Sequence, residues 1–329
     1  MQGTPQQPKL SVAIPVYDDP DEAAQMIQAV QESLSVPLEL QFMIVDVGAD
    51  RDTRIIDQHF TSSVLCLHAS NLPEAKNKAA CAASGDFVFF LFPGLFPRPG
   101  AIETLLNLLR DDRTVVAAAG RWCNAAGKLE VGYNIRRFPT FIALIFDILL
   151  LNKLLPRNRF TRRYKMRDFD HDARIRAEHA NDCAFLVRRE AITRHGGFNE
   201  RYISGWFDQV EFCRSVHRAG EFILYEPHAS FVSNSKVPLI NRIVRDRYAD
   251  YRHSECLYIR NHFGGLAGVV AQVATAVGML QRIVFSMALP AGVRKLCLSA
   301  LQTYVDDNYI RNLRQSYWTV FKRSLQWKP

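Results

Sequence analysis

Three small groups of residues carry chemistry that their positions can use. Asp46 follows an apolar run and opens Asp46-Val47-Gly48-Ala49-Asp50, and a carboxylate in such a turn suits contact with a ribose or a base, or else a helix cap. Lys76 and Asn77 belong to a helical pattern that opens at Asn71, which sets an ammonium and an amide at the same sheet edge as Asp46. Phe92-Pro93-Gly94 ends an apolar run bounded by Gly85-Asp86 on one side and by prolines on the other. A run of that kind reads as a strand buried on both faces. Such strands belong to parallel sheets, whose ligands bind beyond the strands' carboxyl ends, so Phe92, Pro93 and Gly94 are expected at an active-site edge. The plain alternative is a core strand closed by a Pro-Gly turn.

The elements that must position these residues are legible from hydrophobic periodicity. Residues 10–17 read as a strand, and Asp18 to Asp21 open a helix with Ala24, Ile27, Val30 and Leu34 on one face. A second strand is expected over 38–45, a third over 64–68, and a helix over 71–79 that leads into the central strand. Strand, helix, strand, helix, strand predicts an α/β fold with a mostly parallel sheet flanked by helices.

The chain has 329 residues, 48% of them hydrophobic, enough for a large core. Its net charge of +8 is concentrated in residues 157–167 and 242–260. Localised positive charge favours phosphate groups, nucleic acid or an anionic membrane, or is a solvated face. No nucleic-acid module accompanies it, so no nucleic-acid partner is expected. Seven scattered cysteines without a C-x-x-C pair argue for a reducing compartment and against a disulfide framework or zinc site. Residues 1–8 are polar and expected to be flexible, with no apolar signal region, and the expected location is the cytoplasm.

Two blocks together resemble a known family. The first comprises residues 10–17, Val45-Asp46, the helix over 71–79 and the strand after Gly85-Asp86. The second comprises Cys183 to Ala191, His195-Gly196-Gly197-Phe198-Asn199-Glu200, and Gly205-Trp206-Phe207-Asp208-Gln209-Val210-Glu211. They are similar to the family 2 glycosyltransferases of GT-A fold, nearest to the rhamnosyltransferase-like branch. The resemblance covers about 9–262 and leaves 263–329 as a helical extension. It implies an inverting transferase that moves a sugar from a UDP- or dTDP-sugar to a glycan or lipid-linked acceptor in bacterial surface polysaccharide synthesis. It further implies a donor site at Pro15, Tyr17, Asp46, Lys76, Asn77, Phe92, Pro93 and Gly94, with Gly205 and Trp206 on the acceptor side.

Three features of the family are altered here. Relatives hold a divalent cation on two aspartates after the central strand, but this chain has Phe92 and Gly94, which offer no side-chain oxygen. A metal is therefore not expected. The family's E-D pair becomes Asp208-Gln209, and an amide cannot serve as base. Where the family has a histidine the chain reads Ser233-Asn234. Candidate bases in order are Asp208, Asp182 and Glu211. Cations that could replace the metal are Lys76, Arg136, Arg137, Arg245, Arg247 and Arg252, since arginine grips phosphate oxygens in a bidentate fork. The alternative function is a glycosyltransferase-shaped binding or scaffold protein that has lost catalysis.

Two stretches bear on membranes and partners. Residues 138–155 are apolar, interrupted by Asp147, and followed by a basic flank, which fits an interfacial helix or a buried one. Residues 264–289 carry Gln272, Gln281 and Arg282 and are expected as an amphipathic helix or helical hairpin. After Pro290, aromatic and basic residues interleave, suiting a membrane interface or a homo-oligomer contact. A peripheral position at the inner face of the cell membrane follows from these stretches.

Overall fold

The structure is a computed structural model and describes residues 9–17, 20–47, 64–129, 131–234, 248–288 and 307–326. In chain order the first half gives β1 (Lys9–Val16), α1 (Pro20–Ser33), β2 (Glu39–Val47), β3 (Val64–Ala69), α2 (Leu72–Ala82), β4 (Phe87–Leu91), β5 (Leu95–Pro97), α3 (Ala101–Asp111), β6 (Val115–Cys123) and β7 (Ile135–Arg136). Three helices follow, α4 (Phe141–Ile148), α5 (Leu151–Leu154) and α6 (Arg159–Tyr164). Then come β8 (Ile175–Arg176), β9 (His179–Ala180), β10 (Ala184–Arg188), α7 (Arg189–Arg194), α8 (Phe207–Arg218) and β11 (Phe222–Ser233). The chain closes with α9 (Tyr248–Phe263), α10 (Gly265–Ala288) and α11 (Asp307–Gln326).

It divides into two compact units. One comprises residues 1–138, 169–200 and 208–235; the other comprises 139–168, 201–207 and 236–329. The first unit is built on one mixed sheet of order β3-β2-β1-β4-β10-β6-β11-β5, with β8 paired to β11. Its leading half, β3-β2-β1-β4, is parallel throughout, as the alternation of strand and helix predicts. The core runs along β4, where all five residues are buried, and across Ala117 to Ala119 of β6, whose small side chains leave room for facing aromatics.

Antiparallel β10 lies between β4 and β6, pairing Ala184 with Leu91 and Arg188 with Phe87. An antiparallel strand begins where its neighbour ends, so the residues just before β10 arrive at the carboxyl edge of β4. The backbone NH of Phe92 donates to the carbonyl of Cys183 at 2.9 Å and fixes that meeting point.

Local chemistry accounts for α2. Asn71 accepts from the backbone NH of Glu74 at 3.0 Å, while the Glu74 carboxylate accepts from the NH of Ser70 at 2.9 Å, a reciprocal cap that satisfies exposed donors at the helix start. Its buried face is Leu72, Pro73, Ala75, Lys76 and Ala79, in which Lys76 is the one charged member.

Three expectations are corrected. The buried face of α1 is Ala23, Met26 and Val30 instead of Ala24, Ile27, Val30 and Leu34, one residue earlier in phase except at Val30. Strand β2 runs on to Val47, so Asp46 is not in a turn: it pairs with Val16 on one side and His68 on the other and is 2% exposed. Residues 138–155 do not form one helix, because Leu150 adopts a left-handed conformation (φ 59°) between α4 and α5.

In the second unit the apolar helix α10 is anchored by polar contacts. The Arg282 guanidinium donates to the carbonyls of Ile148 (2.6 Å), Asp147 (3.2 Å) and Gly278 (3.0 Å), capping the last turn of α4. Gly278 permits the approach, since a Cβ there would lie 2.4 Å from the Ile148 carbonyl oxygen. Arg252 of α9, buried, pairs with Glu255 and lies 3.5 Å from Asp147. Helix α11 packs Tyr317 and Val320 against Met279. The expected helix over 264–289 is thus a single 24-residue element. One described helical stretch, Gly265–Val284, is long and apolar enough to cross a membrane, and 39% of it is buried within the protein.

Candidate active site

Three of the residues that the sequence singled out, Lys76, Asp182 and Asp208, form a buried charge cluster at the carboxyl edge of the sheet. Lys76 of α2 extends its ammonium to Asp182 Oδ2 at 2.6 Å and to Asp208 Oδ2 at 3.0 Å. All three side chains are enclosed, with Asp208 wholly so. Each arrives by a different route: Lys76 on the buried face of α2, Asp182 just before β10, and Asp208 in the first turn of α8.

Burial alone would drive the lysine toward its neutral form, but the charges of Asp182 and Asp208 outweigh it and lift Lys76 to about 12. Asp208 is raised above the ordinary aspartate value, first by burial and then by Asp182, against the opposing pull of Lys76. The short contacts to two oxygens decide for a protonated Lys76. Asp208 is then the carboxylate on which a proton is retained more readily than usual. Nearby His179 is held neutral, its value pushed down to about 3 by burial and then by the charges of Arg136 and Lys76.

The remaining donors and acceptors of the cluster show what is left for chemistry. Lys76 uses two of its three N–H donors on carboxylates. Among the described residues Asp208 Oδ1 is buried without a hydrogen-bond partner, as are both amide atoms of Gln209 beside it. Lys76 also lines a shallow recess of about 10 Å³, room for roughly one water, walled by Pro15, Val45, Leu72, Phe90 and Phe92.

Other expected residues lie elsewhere. Asn77 donates to the Phe198 carbonyl (2.8 Å) and to Glu200 Oε1 (2.9 Å) and accepts from the Phe198 NH, so its amide is committed to holding the 198–200 turn. Asp46 lies 3.6 Å from His68 Nδ1, within the strand. Tyr17 follows β1 and is half-buried. Glu211 accepts from Asn199 Nδ2 at 3.4 Å and lies a turn along α8 from Asp208. Gly205 (φ 77°) and the buried Trp206 belong to the second unit. Arg136 turns its guanidinium back to the Gly132 carbonyl, Arg137 lies 3.3 Å from Glu178, and Arg252 is held in the second unit by Glu255. Arg245 and Arg247 fall outside the described residues.

The residues present do not fit the divalent cation that the fold family implies. Phe92 is 2% exposed, and Gly94 sits at φ 74° with Glu22 Oε1 and Asn234 Oδ1 at 2.8 and 3.1 Å from where its Cβ would stand. Among the described residues no three acidic, histidine or cysteine side chains gather as ligands. Sequence reasoning missed Glu22 and His179. Glu22 carried a signal, a carboxylate in the first turn of the helix that follows β1; His179 carried none beyond its place three residues before Asp182.

Because three elements share one buried ammonium, Lys76→Met should cost about 3–5 kcal/mol, leaving two carboxylates uncompensated. Urea denaturation measures it. The gap to wild type should be full below pH 10.5 and narrow as the pH approaches 12, where the raised lysine of the folded chain loses its proton. A variant as stable as wild type would show the cluster to be energetically idle.

The family model described as glycosyl transferase family 2 matches residues 11–194, a span that includes Lys76, Phe92 to Gly94 and Asp182. Two N-acetylglucosaminyl-diphospho-decaprenol L-rhamnosyltransferases, from two strains of Mycobacterium tuberculosis, are 27% identical over 188 residues, 55% of this chain and 57% of theirs. An O-antigen chain rhamnosyltransferase of Salmonella anatum is 30% identical over 119 residues, 35% of this chain and 37% of its own. The aligned part is thus little more than half the length of the mycobacterial relatives. Among solved structures, GalNAc-T7 with UDP, GalNAc and Mn²⁺ superposes with a TM-score of 0.51 at 13% identity, covering 98% of this chain and 57% of that one. At that identity the likeness speaks for the fold, which is GT-A. With more than half of its length under the family model, the chain belongs to glycosyl transferase family 2.

Proposed function

We infer that this chain is an inverting glycosyltransferase. It moves a sugar, rhamnose by analogy with the relatives' names, from a UDP- or dTDP-sugar to a glycan or lipid-linked acceptor in bacterial surface polysaccharide synthesis. The observation that carries the reading is the buried Lys76–Asp182–Asp208 cluster beside an apolar recess at the sheet edge of a family 2 chain.

In this reading the acceptor hydroxyl oxygen attacks the anomeric carbon from the face opposite the leaving group. The C–O bond to the diphosphate breaks, its electron pair departs with the diphosphate, and the configuration inverts. The hydroxyl proton goes to Asp208, whose raised proton affinity suits a general base. Lys76 holds Oδ2 of that carboxylate, leaving Oδ1 as the receiving atom. Oδ1 is covered by protein here, so the side chains over it must move aside when acceptor binds. The departing negative charge is met by protein cations in place of a metal, with Lys76 at the recess; its ammonium, enclosed by the two carboxylates and 4.9 Å from the Phe198 ring, must be uncovered to meet a phosphate oxygen.

Asp208→Asn should lower turnover by about 10²–10⁴ while leaving nucleotide affinity unchanged, measured with dTDP- and UDP-sugars and a polyprenyl-diphosphate-linked acceptor. Asp182→Asn tests the runner-up. Unchanged turnover in both variants would remove the assignment of the base; a wild-type chain inert with every donor would favour the scaffold reading.

A lipid-linked acceptor requires work at the inner face of a membrane. In the second unit Ile142, Leu154 and Leu155 are exposed, and Arg157, Arg159, Arg163 and Arg167 are exposed after them, an apolar edge with a basic rim. Flotation with vesicles rich in anionic phospholipid should recover the protein and recover less as salt rises, since this attraction is screened over about 10 Å at 0.1 M. Equal recovery on purely neutral vesicles would contradict it.

A further inference from the structure

Helix α10 shows an uncovered face that the transfer reaction does not use. Leu266, Val269, Val270, Val273, Val277, Leu280 and Val284 are between 42% and 80% exposed, while Ala271, Thr275, Met279 and Arg282 on the opposite face are buried. Six of the seven exposed residues follow an unbroken spacing of four, three, four, three, four: Leu266, Val270, Val273, Val277, Leu280, Val284. That spacing, kept over about two and a half heptads, is shared by a coiled-coil seam and by the single apolar stripe of an amphipathic helix. Valine fills every second position, at 270, 277 and 284, and leucine two of the three between. β-Branched residues at the first seam position with leucine at the second favour two parallel strands.

We propose that α10 is the seam of a homodimer, pairing in parallel with α10 of a second copy through these six residues. Three observations choose a second copy over a lipid surface. Valine at 270, 277 and 284 alternating with Leu266 and Leu280 is the arrangement that favours two paired strands. The rim beside the seam is Ala267, Ala276 and Gln281, small or neutral side chains that let two helices approach and carry no cation for an anionic bilayer. The area also suffices: the stripe runs about 27 Å along the axis. It leaves on the order of 500 Å² of apolar surface per protomer, so that a pair buries about 1,000 Å², the lower bound of a specific interface. Nor does the helix need the partner in order to form, because Gly278, Thr275 and Arg282 already bind its other face to the unit, through the α4 carbonyls in the case of Arg282. Pairing two preformed surfaces avoids the ordering cost that weakens short isolated coiled coils.

Sedimentation equilibrium of the full chain should show a mass that rises with concentration toward twice 37.5 kDa, reached below about 100 µM. Val273→Glu and Leu280→Glu, both at exposed positions, should keep the helical signal and melting temperature of wild type while weakening association at least about 30-fold. Leu266→Cys should cross-link to itself under mild oxidant, as a parallel in-register pair requires, without needing Val284→Cys in the partner. A wild-type chain that stays monomeric at about 100 µM overturns the proposal, as do glutamate variants with wild-type mass. Cross-linking only between L266C and V284C chains overturns the parallel pairing. A monomer that floats with neutral phosphatidylcholine vesicles and loses that binding in Val273→Glu would assign the face to lipid and overturn the dimer.

Discussion

A lysine ammonium buried between two carboxylates is the constraint on which the catalytic unit depends. An isolated charge taken out of water costs several kcal/mol, and a buried pair breaks even only if its geometry is good and its remaining donors are used. Lys76 meets the first condition by reaching two oxygens at 2.6 and 3.0 Å, while Asp208 Oδ1 is left without a partner among the described residues. It thereby ties α2, the segment before β10 and the start of α8 to one point. Two aspartates against one lysine leave the cluster an acid in excess, and burial keeps Asp208 readier to hold a proton than an ordinary aspartate. The same arrangement is a structural clamp and, in the proposed reading, the source of the base.

The sheet explains why these three meet. Had β10 run parallel to β4, Asp182 would stand at the opposite edge; because it runs antiparallel, the residue before it falls beside Phe92. Asn77 works one step removed, gripping the Phe198–Glu200 turn that precedes α8 in the chain. In the second unit Arg282 plays the analogous structural part, its guanidinium satisfying carbonyls that α4 leaves open. A charged residue in a long apolar helix therefore marks the face that packs.

Much of the fold was legible because it rests on local pattern. The apolar runs of β1, β2, β3 and β4 and the capped start of α2 are visible in sequence, and their alternation implies the parallel half of the sheet. What was not legible depends on partners far along the chain. Asp182 and Asp208 lie 106 and 132 residues from Lys76, so nothing in the helical pattern of 71–79 says that its lysine faces inward onto acids. Asp46 looked like a turn residue because Gly48 follows it, yet pairing with β1 and β3 carries the strand through to Val47. The break at Leu150 was hidden because an apolar run carries no glycine or proline there to announce it. Of the site itself, the residue types were readable and the contact that joins them was not.

The altered edge at Phe92 and Gly94 sets the account apart from a metal-dependent transferase. Restoring one carboxylate would not restore a site, since Gly94 has a left-handed backbone with Glu22 and Asn234 already against it. The central claim is that protein cations, Lys76 foremost, do the electrostatic work on the diphosphate. Calorimetric titration of the full chain with dTDP and UDP, in excess EDTA and again in Mg²⁺ or Mn²⁺, tests it most directly. The account predicts affinities equal within about threefold in both conditions. A loss of tenfold or more on chelation, about 1.4 kcal/mol, would contradict it.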